Sequence, residues 1–156
     1  MKINWKSLII SIAIPLGVGG ISALLTMGAM DSFGQLKSPP LSPPAILFPI
    51  VWTVLYILMG VASYLVFRSG APTEEVKEAL TLYGVQLFFN FFWSIFFFNL
   101  EWYTFAFIWL LALFALVVFT TVKFFKINKW AGNLMLPYCI WIAFAGYLNL
   151  GVAILN

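Results

Sequence analysis

The chain has 156 residues, of which 63% are hydrophobic, 19% aromatic and only 8% charged. A water-soluble domain of this length carries about a quarter of its residues as Asp, Glu, Lys or Arg. Five acids and eight bases are too few to clothe a water-facing surface, which excludes an ordinary soluble globular domain. The net charge of +3 is not gathered into a basic patch interleaved with exposed aromatics, so nucleic-acid binding has no support. There is no histidine, and that removes Ser-His-Asp and Cys-His catalysis together with histidine-ligated zinc and haem. The one cysteine, Cys139, can form no internal disulfide.

A bilayer core takes about 20 apolar residues per helix. Five charge-free runs of that order follow one another, at 7–30, 44–67, 79–100, 102–122 and 130–155. Membrane-spanning strands would instead show alternating segments of roughly 10 residues. The sequence therefore predicts an all-α fold: a five-helix integral membrane bundle, one domain over 1–156. The first run follows Lys2 and Lys6, the basic start of a secretory signal. It is longer than a usual signal core, however, and more membrane follows it rather than a soluble domain.

Segment 31–44 reads Asp-Ser-Phe-Gly-Gln-Leu-Lys-Ser-Pro-Pro-Leu-Ser-Pro-Pro. Four prolines in six residues cannot continue a helix and stiffen the chain toward an extended form. Such a loop either folds over the mouth of the bundle, with Phe33 and Leu36 as apolar contacts, or is a rigid connector of no further consequence. The 68–78 connection carries Gly70, Pro72 and Thr73 ahead of Glu74 and Glu75, a helix-start pattern. Residues 100–103 leave room only for a tight helical hairpin.

An odd number of spans puts the N-terminus, 68–78 and 123–129 on one side. That side holds Lys2, Lys6, Arg68, Lys77, Lys123, Lys126 and Lys129; the other has Lys37 alone. The positive-inside rule then predicts a cytoplasmic N-terminus and an external C-terminus.

Helix association in lipid relies on close packing and a few polar side chains, so polar residues at helical spacing are the informative ones. Pro49, Trp52, Tyr56, Gly60 and Ser63 share one face of the second span. Tyr83, Gln86, Asn90 and Trp93 share one of the third, and Tyr138, Trp141, Ala145 and Asn149 one of the fifth. An amide facing hydrocarbon without a partner costs several kcal/mol (about 2 or more), so these faces should point inward. They either line an aromatic, amide-bearing pocket opening outward beneath the proline loop, or merely bond neighbouring helices to one another. Trp5, Trp102, Tyr103 and Trp130 read as interfacial anchors. Gly17, Gly19, Gly20, Ala23 and Gly84 read as points of close helix approach.

The run Pro49-Ile50-Val51-Trp52-Thr53-Val54-Leu55-Tyr56, with Met59-Gly60 and Ser63-Tyr64-Leu65-Val66, resembles the signature of the translocator protein family, also called the tryptophan-rich sensory proteins or peripheral-type benzodiazepine receptors. Gln86-Leu87, Asn90 and Trp93 extend the likeness, as do Leu136-Pro137-Tyr138, Trp141, Ala143-Phe144, Leu148-Asn149, and Pro39 with Pro43-Pro44 in the loop. The resemblance implies a membrane protein that binds tetrapyrroles, notably protoporphyrin IX, beneath the first loop. It also implies affinity for isoquinoline carboxamides and benzodiazepines, a homodimeric state and, as in some bacterial members, light-dependent oxidative breakdown of the porphyrin. By position, Trp52 and Trp141 would be the tryptophans tied to that breakdown. Pro43, Pro44, Phe48, Trp52, Tyr56, Gln86, Asn90, Trp93, Tyr138, Trp141, Ala145 and Asn149 would form the ligand site.

The animal sterol motif needs an aromatic followed by a base near the C-terminus; after Asn149 this chain has neither, which points to a bacterial-type member of the cell membrane. With only Cys139, methionines and tyrosines as candidate ligands, no protein-held metal or cofactor is expected, and free-base porphyrin as ligand or substrate suits the chain better than haem. The rival expectation is a transporter or ligand-responsive regulator of tetrapyrroles that performs no chemistry.

Overall fold

The computed structural model describes residues 2–29 and 33–156. Met30, where the first apolar run was expected to end, and Asp31 and Ser32 of the proline segment lie outside the described residues, as does Met1.

Five helices are long and apolar enough to cross a bilayer, and no strand occurs among the described residues. They are α1 (Trp5–Thr26, continued by the tighter turn Met27–Ala29), α2 (Leu47–Phe67), α3 (Thr73–Ser94, continued by the π-helical segment Ile95–Asn99), α4 (Tyr103–Ile127) and α5 (Lys129–Leu155). At 1.5 Å per residue, spans of 21 to 27 residues reach about 31 to 41 Å, more than the hydrocarbon thickness.

The helices therefore overrun the apolar runs at their charged ends. The third was expected from residue 79 and begins at Thr73; the fourth was expected to stop at 122 and continues to Ile127. Charge ends an apolar run, but it does not end a hydrogen-bond ladder. Pro72, at φ −51° and ψ 137°, sets the start of α3, and Glu74 and Glu75 in its first turn complement the positive helix terminus. Lys126 does the same for the last turn of α4. In the opposite sense α2 starts late, at Leu47 rather than 44, because Pro44 and Ala45 are spent on a turn whose carbonyls accept from the Leu47 and Phe48 amides.

Packing arranges the helices in the ring order α1, α2, α5, α4, α3, with α3 returning to α1. Where α1 crosses α2 the backbones touch: a Cβ on Gly60 would lie 2.7 Å from Ile12 Cα and 2.8 Å from the Ser11 carbonyl oxygen. One end of the bundle carries the basic loops. There the Asn4 amide donates to the Tyr64 hydroxyl at 2.9 Å, and Lys123 pairs with Glu78 at 2.6 Å. Asn128 caps α5 by accepting from the Trp130 and Ala131 amides. The bundle's centre toward this end is packed: Met59, Ala62, Val66, Ala79, Val117, Phe124, Ala131 and Met135 are fully buried.

At the other end the proline segment is fastened to α5. Asn156 and Lys37 exchange two hydrogen bonds, side chain to backbone, and the Tyr147 hydroxyl donates to the Pro40 carbonyl at 2.6 Å. Pro39 is buried against Gly151, where any Cβ would overlap the proline ring. Leu41, between the two proline pairs, takes a left-handed conformation at φ 70° that lets the stiff segment reverse.

Candidate functional site

The half of the bundle away from the basic end is hollow. A cavity of about 510 Å³ lies among α1, α2, α3 and α5, leaving α4 outside. It falls within the range of small-molecule sites, about 300–1,000 Å³. No charged residue lines it; besides its tryptophans and Tyr56, its polar residues are Ser22, Thr26, Ser94 and Asn149.

The walls are aromatic. From α2, Trp52 stacks on Tyr56 with ring centres 5.5 Å apart and planes 27° from parallel. Trp141 of α5 meets Trp52 edge-on at 6.2 Å and 89°, and Phe48 at 5.9 Å. On the α3 side Trp93 stacks on Phe97 at 5.3 Å. Phe33 from the proline segment closes the circuit, contacting Phe48, Phe97 and Phe98 edge-on at 6.2, 5.7 and 5.3 Å. Such a collar offers faces and edges to a flat aromatic guest at distances where aromatic pairs attract.

Hydrogen bonds fix part of this collar. The Trp93 indole N–H donates to Asn149 Oδ1 at 3.0 Å, and Asn149 Nδ2 donates to the Tyr103 carbonyl at 2.8 Å. One amide thus ties α3, α5 and the start of α4 together. The Trp141 indole N–H, by contrast, is buried and has no partner. A donor left unpaired away from water costs about 1–3 kcal/mol, so a small turn of this indole toward the cavity, to meet an acceptor on a guest, would recover that cost.

Of the residues expected at a ligand site, Phe48, Trp52, Tyr56, Trp93, Trp141, Ala145 and Asn149 border this cavity. Gln86, Asn90 and Tyr138 do not. They form a buried chain beneath it: the Tyr56 hydroxyl donates to Asn90 Oδ1 at 3.2 Å, Asn90 Nδ2 donates to the Tyr138 hydroxyl at 2.7 Å, and Tyr138 donates to Gln86 Oε1 at 2.6 Å. These three belong to the same helix faces as Trp93 and Trp141 but lie deeper, toward the packed half. Pro43 and Pro44 do not border the cavity either; the proline segment reaches it through Phe33.

Several bordering residues were not expected. Gly19, Ser22, Ala23 and Thr26 bring α1 into the wall, and the bare Cα of Gly19 is what admits the Tyr56 ring, since a Cβ there would overlap it. Ser22 and Thr26 stand four apart, the same polar spacing that marks the other inward faces, so the signal was present. Thr26 turns its hydroxyl onto the Ser22 carbonyl at 2.9 Å. Phe97 and Phe98 enter together because the π-helical segment adds a residue to the turn, and no local propensity in a run of phenylalanines announces that. Among the described residues no three Cys, Asp or Glu side chains come together as a cation site. The Cys139 thiol sits 3.1 Å from the Thr121 hydroxyl, at the α4–α5 contact and off the cavity.

The sequence profile of the TspO/MBR family matches residues 11–155. Among similar proteins, the tryptophan-rich protein TspO of Chlorobaculum tepidum is 33% identical over 96% of this chain and 94% of its own length. Protein CrtK of Rhodobacter capsulatus is 33% identical over 88% and 85%. The human translocator protein is 35% identical over 75% and 70%.

Proposed function

The chain belongs to the TspO/MBR family of integral membrane proteins, and from that premise together with the aromatic cavity we propose that it binds a tetrapyrrole, of which protoporphyrin IX is the best candidate. The observation that carries the reading is the collar of Trp52, Trp141, Trp93, Phe97 and Phe33 around some 510 Å³ of uncharged space, with the Trp141 N–H spare. A flat, mostly apolar ring gains stacking on indole and phenyl faces. The spare indole donor is matched by a ring nitrogen or a side-chain carbonyl of the guest.

No base lines the cavity, so the propionates would sit at its mouth. Lys37 on the proline segment is the only basic side chain at that end. By charge asymmetry the basic end faces the cytoplasm and the cavity lies toward the outside.

The finer reading is light-driven oxidative breakdown of the bound porphyrin. Light supplies the energy and dissolved dioxygen is the terminal oxidant. The excited ring gives up electrons to dioxygen, which is reduced, and the indoles of Trp52 and Trp141, in edge contact at 6.2 Å, are the neighbouring groups oxidised with it. No general acid or base is needed, which suits a wall without ionisable carboxylates or amines. Simple passage of the ring through the bundle fits less well. Beneath Tyr56 the Asn90–Tyr138–Gln86 chain and the buried Met59 and Met135 occupy the middle.

Titration of the purified protein with protoporphyrin IX in darkness should quench tryptophan emission at one-to-one stoichiometry. Illumination should then bleach the porphyrin. Replacing Trp52 and Trp141 together by Phe should leave dark binding measurable and slow bleaching by at least about tenfold. Bleaching at the original rate would end the photochemical reading; no dark binding to the unaltered protein would end the tetrapyrrole reading.

A further inference from the structure

At the basic end a second groove, of about 440 Å³, lies between α1, α2 and α3 and shares no residue with the aromatic cavity. Its apolar walls include Ile14, Phe67 and Leu80. Gly84 leaves it open: no atom lies within 4 Å of where a Cβ would stand. Two independent features say what belongs there. First, the Tyr83 hydroxyl in its wall is buried, in a residue only 6% exposed, and makes no hydrogen bond of ordinary length; the neighbouring Ser63 hydroxyl is given to the Gly60 carbonyl instead. At membrane depth water does not satisfy such a donor, so an occupant with an acceptor is favoured over a bare hydrocarbon chain.

Second, basic residues stand next to its lining residues in the chain, at the basic end of the bundle. Lys77 precedes Leu80 by one turn on the same face, Arg68 follows Phe67 at the end of α2, and Lys6 precedes Ser7, another residue of the groove. The one ion pair among the described residues is Lys123 with Glu78, so none of these three cations is engaged by a carboxylate.

We propose that this groove seats one anionic glycerophospholipid from the leaflet at the basic end. Its phosphate lies among Lys6, Arg68 and Lys77, an ester carbonyl accepts the Tyr83 O–H, and an acyl chain follows Leu80, Gly84 and Ile14. The spacing suits this. Six positions along α3 carry the chain from Lys77 to Tyr83, a rise of about 9 Å. A phosphate, glycerol backbone and ester carbonyl span a distance of that order.

The experiment is native mass spectrometry of the protein released from micelles holding equal amounts of phosphatidylglycerol and phosphatidylcholine with identical oleoyl chains. One phosphatidylglycerol should be retained at least about fivefold more than phosphatidylcholine, the effect expected of one basic side chain near an anionic surface. Lys77→Gln with Arg68→Gln should bring retention down to the phosphatidylcholine level. Tyr83→Phe should lower retention of both lipids, whose esters are alike. Gly84→Leu starts a side chain in open space, with nothing within 4 Å of its Cβ, and should abolish the adduct. Its dark titration with protoporphyrin IX should be unchanged, because Gly84 is remote from the aromatic cavity, and this keeps failure here distinct from failure of the tetrapyrrole reading.

Equal retention of the two lipids would overturn the proposal, as would an adduct that survives Gly84→Leu. Displacement by glycerol phosphate, which has no chains, would reduce the groove to a soluble-anion site. Loss of a dimer on Gly84→Leu with lipid counts unaltered would assign the groove to a second copy of the chain.

Discussion

Asn90 tests whether the hydrogen-bonded chain beneath the cavity acts on ligand binding by positioning Tyr56 or by touching the guest. Asn90→Leu keeps the size of the side chain and deletes two bonds, the 3.2 Å one from Tyr56 and the 2.7 Å one to Tyr138. Tyr138 keeps its 2.6 Å bond to Gln86, so the consequence for the cavity runs through Tyr56, whose ring is part of the wall and stacks on Trp52. Side-chain bonds between membrane helices average about 0.6 kcal/mol and reach about 1.7. If that bond alone holds Tyr56 in place, losing it lowers the fraction of correctly placed rings by about threefold at the mean and about eighteenfold at the upper limit. Apparent affinity falls by the same factor. The stack on Trp52 survives, which places the expected loss at roughly threefold to tenfold.

Quenching of tryptophan emission by protoporphyrin IX, titrated in darkness in lipid nanodiscs, measures this directly. Tyr56→Phe removes the same bond and keeps the ring, so it should weaken binding by the same factor. The two changes together should do no more than either alone, because residues sharing one interaction are not additive. A loss beyond about a hundredfold in Asn90→Leu would mean that the amide contacts the guest. Unchanged affinity in both single variants would mean that the chain does not position the wall. Either result refutes the reasoning.

Three further outcomes are expected. Ala145→Phe puts a ring into the cavity without removing any buried polar partner; porphyrin affinity should drop at least about tenfold while the thermal midpoint stays near the parent's, and retained affinity would argue that the guest binds elsewhere. Gly60→Ala forces α1 from α2, where backbone atoms stand 2.7 and 2.8 Å from the added carbon; overpacking of this kind costs about 1–3 kcal/mol and should lower the midpoint of thermal unfolding, whereas an unaltered midpoint would show that the helices separate freely. Tyr147→Phe removes the 2.6 Å bond to the Pro40 carbonyl that ties the proline segment to α5; stopped-flow quenching should show association and dissociation both accelerated several-fold with little change in affinity, and unaltered rates would mean that the segment does not gate entry.

The five spans were legible because a bilayer imposes one simple rule, about 20 residues without charge. Helix ends were not, because Pro72, Asn128 and the acids of α3 fix them outside the hydrocarbon, where that rule is silent. The inward faces were also legible. Trp52, Tyr56, Tyr83, Gln86, Asn90, Trp93, Tyr138, Trp141, Ala145 and Asn149 are all buried or border the cavity, because polar and small side chains at steps of three and four avoid lipid. What periodicity could not supply was depth. A helical step tells which way a side chain faces, and Asn90 and Trp93 face the same way. Only the packing of Met59, Met135 and Tyr138 decides that the hollow stops between them.

That division of one face into two regimes makes physical sense. A polar group bordering a hollow needs a neighbouring helix or a guest to match it, whereas an amide one turn deeper is matched by neighbouring phenols. Asn90 is so matched on both its oxygen and its nitrogen. Asn149 borders the hollow yet is likewise satisfied at both atoms, by Trp93 and the Tyr103 carbonyl. The groups left open are Trp141 Nε1 beside the aromatic cavity, Tyr83 Oη beside the basic-end groove, and Gln86 Nε2 between their levels. In a bundle whose other buried side-chain donors and acceptors find partners among its described residues, two of the three exceptions border hollows. Unmet hydrogen-bonding capacity, rather than aromatic content alone, is therefore the feature that separates places built to receive a molecule from places built to hold helices together.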